Sequence, residues 1–199
     1  KSAGNFFTVR DISKEFDPEV VRMFMLSAQY RSPINFSREM IAQAHSSLTR
    51  IYTARDQMQF LLQHAPDREL NDEEKAFVER VSGHIAKFDT AMDDDLNTAD
   101  AMGAIFELVK DANQTLTAES AKAAIEAALN ALSELCDVLG LLMKKADALP
   151  ADIQALADAR AQARKDRDWK KSDELRDQLK ALGYTVEDTK EGQKVRKTV

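Results

Sequence analysis

The chain has 199 residues, 44% apolar and 31% charged, with 6 Gly, 4 Pro, 1 Trp and a formal net charge of -6. That length allows one or two domains with a real core, and few breakers among many helix formers point to helices. The lone Cys136 excludes an intramolecular disulfide scaffold, and no apolar run reaches the ~18 residues of a membrane span, so a soluble cytoplasmic protein with no membrane partner is expected.

The first residue is Lys rather than Met, which points to a fragment or a processed chain. Residues 1–7 carry no helical period and read as a loop, followed by a short helix from Val9 to Phe16. Asp17-Pro18 starts the next helix, because Asp caps and Pro suits the first turn; it is expected to run to about Tyr30, before Ser32-Pro33. Ser37 caps a long amphipathic helix in which Ile41, Ala44, Leu48, Ile51, Met58 and Leu62 recur at helical spacing, interrupted by Arg55 and closed at His64-Ala-Pro-Asp. A second long helix carries Phe77, Val81, Ile85, Phe88 and Met92. A third, capped near Asn97 or Thr98, carries Met102, Ile105, Phe106 and Val109. A fourth is expected from about Ala118, with Ile125, Leu129, Leu132, Cys136, Leu139 and Met143 on its stripe and Gly140 near its end. Four such stripes are buried most simply in an antiparallel helical bundle.

Composition changes after Pro150. Residues 152–182 read as helix with a break at Asp166 to Asp168, and Gly183 suits a helix C-terminus. Tyr184 to Asp188 and Gln193 to Lys197, separated by Thr189 to Gly192, read as a β-hairpin. The fold class is therefore mainly α: a helical bundle with a small C-terminal α+β domain ending in a hairpin. Three parts are expected, residues 1–36, the bundle 37–150 and the small domain 151–199.

The net charge of -6 hides its distribution. Residues 1–55 hold 8 Lys/Arg against 5 Asp/Glu, residues 56–150 hold 8 against 19, and residues 151–199 hold 12 against 10, so both ends are basic and the middle is acidic. Self-contained catalysis is poorly supported. His45, His64, His84 and Cys136 lack metal-ligand spacing and read as core or surface residues, and no Gly-rich phosphate loop occurs. Asp93, Asp95 and Asn97 match the opening of an EF-hand loop, but Thr98 and Ala104 stand where its Gly and bidentate Glu belong; helix capping and dipole interactions explain the cluster better. Lys1 and Ser2, beside Gly4, can present an ammonium and a hydroxyl to phosphate. The richest constellation lies in the tail, where Arg164, Trp169 and Asp173 flank the helix break among Lys165, Arg167, Lys170, Lys171, Arg176 and Lys180. Cations neutralise phosphate, an indole stacks on a base, and a carboxylate accepts from a base amino group. The same residues also suit a small packed domain with solvated i,i+4 pairs.

Lys1-Ser-Ala-Gly-Asn-Phe-Phe-Thr-Val-Arg resembles the end of the Lys-Met-Ser-Lys-Ser signature of class I aminoacyl-tRNA synthetases and the adjoining C-terminal segment of cysteinyl-tRNA synthetases. The similarity continues through Asp17-Pro-Glu-Val-Val-Arg, Leu26-Ser-Ala-Gln-Tyr-Arg-Ser-Pro-Ile-Asn-Phe-Ser and Met92-Asp-Asp-Asp-Leu-Asn-Thr. It ends with Ala163-Arg-Lys-Asp-Arg-Asp-Trp-Lys-Lys-Ser-Asp-Glu-Leu-Arg-Asp and Gly183-Tyr-Thr-Val-Glu-Asp, so the blocks span nearly the whole chain.

The resemblance implies the C-terminal, tRNA-binding part of an enzyme that activates cysteine with ATP and transfers it to its tRNA, with a zinc ion selecting the thiolate. The catalytic domain, the His-Ile-Gly-His signature and the zinc ligands belong to another part of that family, so the fragment by itself is expected to be inactive and to hold no cofactor. Its implied partners are the tRNA for cysteine and, through the catalytic domain, ATP and cysteine; a monomer is expected. By position, Lys1 and Ser2 match the ATP-contacting end of the signature, and Arg164, Trp169, Asp173 and Asp188 match anticodon-reading positions. Two departures stand out: Ala3 where the family usually has Leu, and Val195 where an aromatic usually precedes the final basic pair, here Arg196-Lys197. Two other functions remain open, a helical module whose acidic middle meets a basic protein, and a synthetase-like ligase joining cysteine to a small amine. The second generally lacks the tail block.

Overall fold

The computed structural model describes residues 8–144, 150–189 and 192–197. The chain divides into two compact units, Lys1–Lys145 and Ala146–Val199. No helix among the described residues is long and apolar enough to cross a membrane.

Among the described residues the first unit contains six helices: α1 (Val9–Glu15), α2 (Pro18–Leu26), α3 (Arg38–His64), α4 (Asp72–Asp93), α5 (Thr98–Thr115) and α6 (Lys122–Val138). Side-chain caps begin the first five. Thr8 and Asn71 form capping boxes with Asp11 and Glu74, while Asp17, Ser37 and Asn97 accept from backbone N–H groups of the first turn. α4 packs chiefly on α5 and α6, and α3 on α2 and α6, as the four amphipathic stripes require. Ile41, Ile51, Phe77, Ile105, Leu108, Ile125 and Leu132 fill one continuous core.

The expected helix bounds and buried stripes need correction at several positions. α2 stops at Leu26 rather than near Tyr30, because the Ser27 hydroxyl donates to Phe24 O and Thr98 Oγ1 donates to Leu26 O, taking carbonyls that a longer helix would use. α6 begins at Lys122 rather than near Ala118. A turn at Thr117 to Ser120 precedes it, and its first amides are capped from elsewhere in the fold: Ala121 N donates to Glu74 Oε1 (2.8 Å) and Lys122 N to Pro66 O (3.1 Å). Met143 lies past the end of α6 and is 67% exposed, so it does not belong to the core stripe. On α3 the fully buried residue of the last turns is Leu61, with Leu62 packed at the core margin.

Arg55 does not interrupt the buried face of α3. It lies within that face, its Nη1 donating to Lys144 O (2.6 Å), its other nitrogens to Asp56, and its guanidinium 4.7 Å from the Tyr52 ring centroid.

The second unit is built from α7 (Ala151–Lys165), α8 (Trp169–Ala181), β1 (Tyr184–Thr189) and β2 (Gly192–Lys197). The strands pair antiparallel, Tyr184 opposite Lys197 and Val186 opposite Val195, giving the expected hairpin. Gly183 takes φ +83°, a left-handed conformation open to Gly without a Cβ penalty, and turns the chain from α8 into β1. The apolar core is small: Ile153, Leu179 and Val186, with Leu156, Tyr184 and Val195 packed against it.

Candidate nucleic-acid interface

The tail constellation forms where α7 gives way to α8. Asp168 N donates to Ala163 O, Arg167 adopts φ +59°, and the Asp168 carboxylate accepts from Lys171 N to start α8. This tight break puts Arg164, in the last turn of α7, beside Trp169, the first residue of α8. The Arg164 guanidinium carbon lies 5.7 Å from the Trp169 ring centroid, and the indole remains 57% exposed. Asp173 is exposed four residues further along α8, on the same helical face as Trp169.

Asp188, near the end of β1, joins this group from the hairpin. Arg164 Nη1 lies 3.2 Å from Asp188 Oδ2. A residue not singled out in the sequence makes the stronger contact: Arg160 donates through Nη1 to Asp188 Oδ1 (2.8 Å) and through Nη2 to Oδ2 (2.9 Å). Arg160 Nη1 also donates to Gln193 Oε1 (2.8 Å), and Gln193 Nε2 donates to Ala157 O. The Arg160 fork, assisted by the nearby Arg164 and Arg176 charges, holds the Asp188 carboxyl below the ordinary carboxylate range. A detectable signal for Arg160 did exist: Ile153, Ala157, Arg160 and Ala163 follow the 4,3,3 spacing of a buried stripe, and all four are buried.

Lys165, Arg167, Lys170, Lys171, Arg176 and Lys180 are exposed on the same unit, leaving their charges in water where phosphate can reach them. Arg164, Trp169 and Asp188 are thus brought together, with Asp173 one turn away. Lys1 and Ser2 lie outside the described residues, as does Ala3. Val195 packs at the margin of the small core, across from Val186.

A second polar junction lies in the bundle, where two of the blocks that carried the resemblance meet. Tyr30 donates its hydroxyl to Asp95 Oδ1 (2.9 Å), Arg31 Nε donates to Tyr30 Oη (2.9 Å), and Arg31 Nη2 pairs with Asp95 (3.1 Å). Asp95 and Leu96 both take left-handed φ, 57° and 54°. The capping explanation of this acidic cluster holds for Asn97, which starts α5. It does not hold for the aspartates, because Asp93 ends α4, the unfavourable end of a helix dipole for an anion, and Asp95 is held by Tyr30 and Arg31 instead. Among the described residues no group of three or more His, Cys, Asp or Glu side chains is arranged to hold a metal ion. Cys136 is buried in the core, and desolvation pushes its thiol up to about 12, so it carries no nucleophilic chemistry.

Similarity to known proteins extends over nearly the whole chain. Residues 1–46 match the class I (C) catalytic domain of tRNA synthetases, residues 87–143 the DALR domain, and residues 146–196 the cysteinyl-tRNA ligase anticodon binding domain. The cysteine–tRNA ligase of Lachnospira eligens is 47% identical over 193 residues, covering 96% of this chain and 41% of that protein. Those of Caldicellulosiruptor saccharolyticus and Lachnoclostridium phytofermentans are each 46% identical, covering 98% of this chain and 42% and 43% of their own lengths. The chain therefore spans about two-fifths of the length of the curated relatives it matches. With these three matches in this order, the chain belongs to the cysteinyl-tRNA synthetase family, carrying a piece of the class I catalytic domain followed by the DALR and anticodon binding domains.

Proposed function

We propose that the chain is the tRNA-binding, anticodon-recognising part of a monomeric cytoplasmic ligase that forms cysteinyl-adenylate from ATP and cysteine and transfers cysteine to its tRNA. The observation that carries this reading is the exposed Trp169 seated between Arg164 and the open face of α8, in the unit that matches an anticodon binding domain. An unpacked indole flanked by cations is a stacking platform for an unpaired base, worth ~1–3 kcal/mol. Arg164 can donate to a base edge or phosphate, and Asp173 and Asp188 can accept base N–H groups. The surrounding lysines supply the sequence-independent share of affinity.

Within this reading, Lys1 and Ser2 contact ATP phosphates, and ATP and cysteine are handled by the rest of the catalytic domain, of which residues 1–46 are a piece. The zinc that selects the thiolate in the family is likewise assigned to the part of the enzyme that carries the family's zinc ligands. The 199 residues alone bind tRNA and do not aminoacylate.

Titration of the chain with an anticodon stem-loop carrying the cysteine anticodon should show salt-dependent binding and preference over a stem-loop with a different anticodon. Trp169→Ala should weaken the cognate complex by ~5- to 100-fold with the fold intact. Absence of any cognate preference in the unsubstituted chain would overturn the reading.

A further inference from the structure

Arg160 is 1% exposed and is the largest fully buried side chain in the described structure. A guanidinium is costly to remove from water, and the cost is offset only by well-placed acceptors. The structure provides three such bonds, two to Asp188 and one to Gln193, while Arg160 Nε has no partner among the described residues. Asp188 Oδ1 and Oδ2 each accept one hydrogen bond from Arg160, and Oδ2 also forms an ion pair with Arg164. A carboxylate offers roughly four lone-pair positions, so one acceptor position, on Oδ1, is not used by these arginines.

The fork fixes more than the charge of Asp188. Two N–H bonds, one to each oxygen, set the orientation of the carboxylate against a guanidinium that is buried and bonded to both strands of the hairpin. Arg164, one turn further along α7, is held between that carboxylate and the Trp169 ring. A base stacked on Trp169 would therefore meet a polar edge whose orientation is set from beneath by Arg160.

We infer that Arg160 is a positioning residue for base discrimination. It holds Asp188 as a rigid acceptor and, through it, keeps Arg164 at the edge of the stacking platform. The inference rests on the anticodon-recognition reading, and it adds that discrimination is controlled by a side chain that itself touches no base. Lysine at position 160 would keep a charge and lose the fork, so geometry rather than charge is the property tested.

The test compares Arg160→Lys, Asp188→Asn and the double variant in the 199-residue chain. Binding is measured to the stem-loop with the cysteine anticodon and to stem-loops with each anticodon base changed in turn. Arg160→Lys should reduce the cognate-to-changed preference roughly tenfold. The slope of binding with salt should stay unchanged, because the exposed lysines still neutralise the phosphates. The double variant should lose no more preference than Asp188→Asn alone, since both substitutions remove one device. Wild-type preference in Arg160→Lys, alongside lost preference in Asp188→Asn, would overturn the proposal while leaving the anticodon reading in place.

Should Arg160→Lys unfold the hairpin, the unsubstituted chain decides. The Arg160 guanidinium protons should stay protected from exchange, by NMR, when the cognate stem-loop saturates the site, while the Arg164 signals shift. Loss of Arg160 protection on binding would overturn the proposal. An unsubstituted chain without cognate preference overturns both readings, and that result is visible before any substitution is made.

Discussion

In the bundle, Phe77, Ile105, Leu108, Ile125 and Leu132 are fully buried within a core drawn from five helices, and the charges buried beside it, Arg55 and Glu74, are bonded to backbone and side chains of the same unit. In the terminal unit a cluster of three buried apolar residues is supplemented by a buried arginine bonded to the hairpin. A unit of about fifty residues buries too little apolar surface to rely on it alone, and directional bonds supply part of the difference. In the terminal unit the buried charge is linked, from Arg160 through Asp188 and Arg164, to the exposed Trp169.

Matched deletions test this contrast most severely. Phe77→Ala should cost ~3–5 kcal/mol and lower protection against hydrogen exchange across α4 to α6. Asp188→Ala leaves the Arg160 charge buried and unpaired, and should cost the terminal unit ~3–5 kcal/mol, with lost protection along β1 and β2. Each loss should stay within its own unit, as read by exchange mass spectrometry of separate peptides. A shared loss would mean that the two units are energetically one.

Acid should then separate them by residue. Glu74 accepts from both Arg68 Nη atoms, from Ala121 N and from Asn71 N. The Arg68 bonds are the main cause, and they bring its carboxyl down to about 2 from the ordinary 4.5. The folded value lies below the unfolded one, so this contribution is complete above pH 4.5 and is lost as pH falls from 4.5 towards 2. Urea melts of the bundle should show that slope, and Glu74→Gln should flatten it. An unchanged slope in the variant would remove Glu74 as its source.

Trp169→Phe provides a smaller effect that separates binding from folding. The exposed indole contributes little packing, so the melt should move by less than ~0.5 kcal/mol while stem-loop affinity falls severalfold. The smallest effect is expected for Tyr30→Phe. It removes two exposed hydrogen bonds, the one donated to Asp95 and the one accepted from Arg31, and should cost the bundle ~0.5–1 kcal/mol by thermal melting, leaving the terminal unit untouched.

Apolar spacing and caps made the long helices legible, since period and N-cap chemistry are local: Ser37 and Asn97 start α3 and α5 where their hydroxyl and amide can reach the first turn. The turn residues made the hairpin legible in the same way. Arg164, Trp169 and Asp173 could be grouped because ten residues of sequence hold them together, and Asp188 entered only through resemblance. For Arg160 the spacing marks a buried face, but an arginine on a short alanine-rich stripe has no local partner, and its acceptor on the hairpin lies beyond the reach of helix periodicity.

By itself the sequence determined the helical class, the positions of the long helices, the hairpin and the basic character of both ends. Tertiary structure alone decided where α2 stops, what caps α6, and which charges are buried. Helix period specifies a face; it does not specify what packs on that face. Glu74 reaches Ala121 across 47 residues and Arg160 reaches Asp188 across 28, so each buried charge is stable only after folding has delivered a partner that local pattern cannot see.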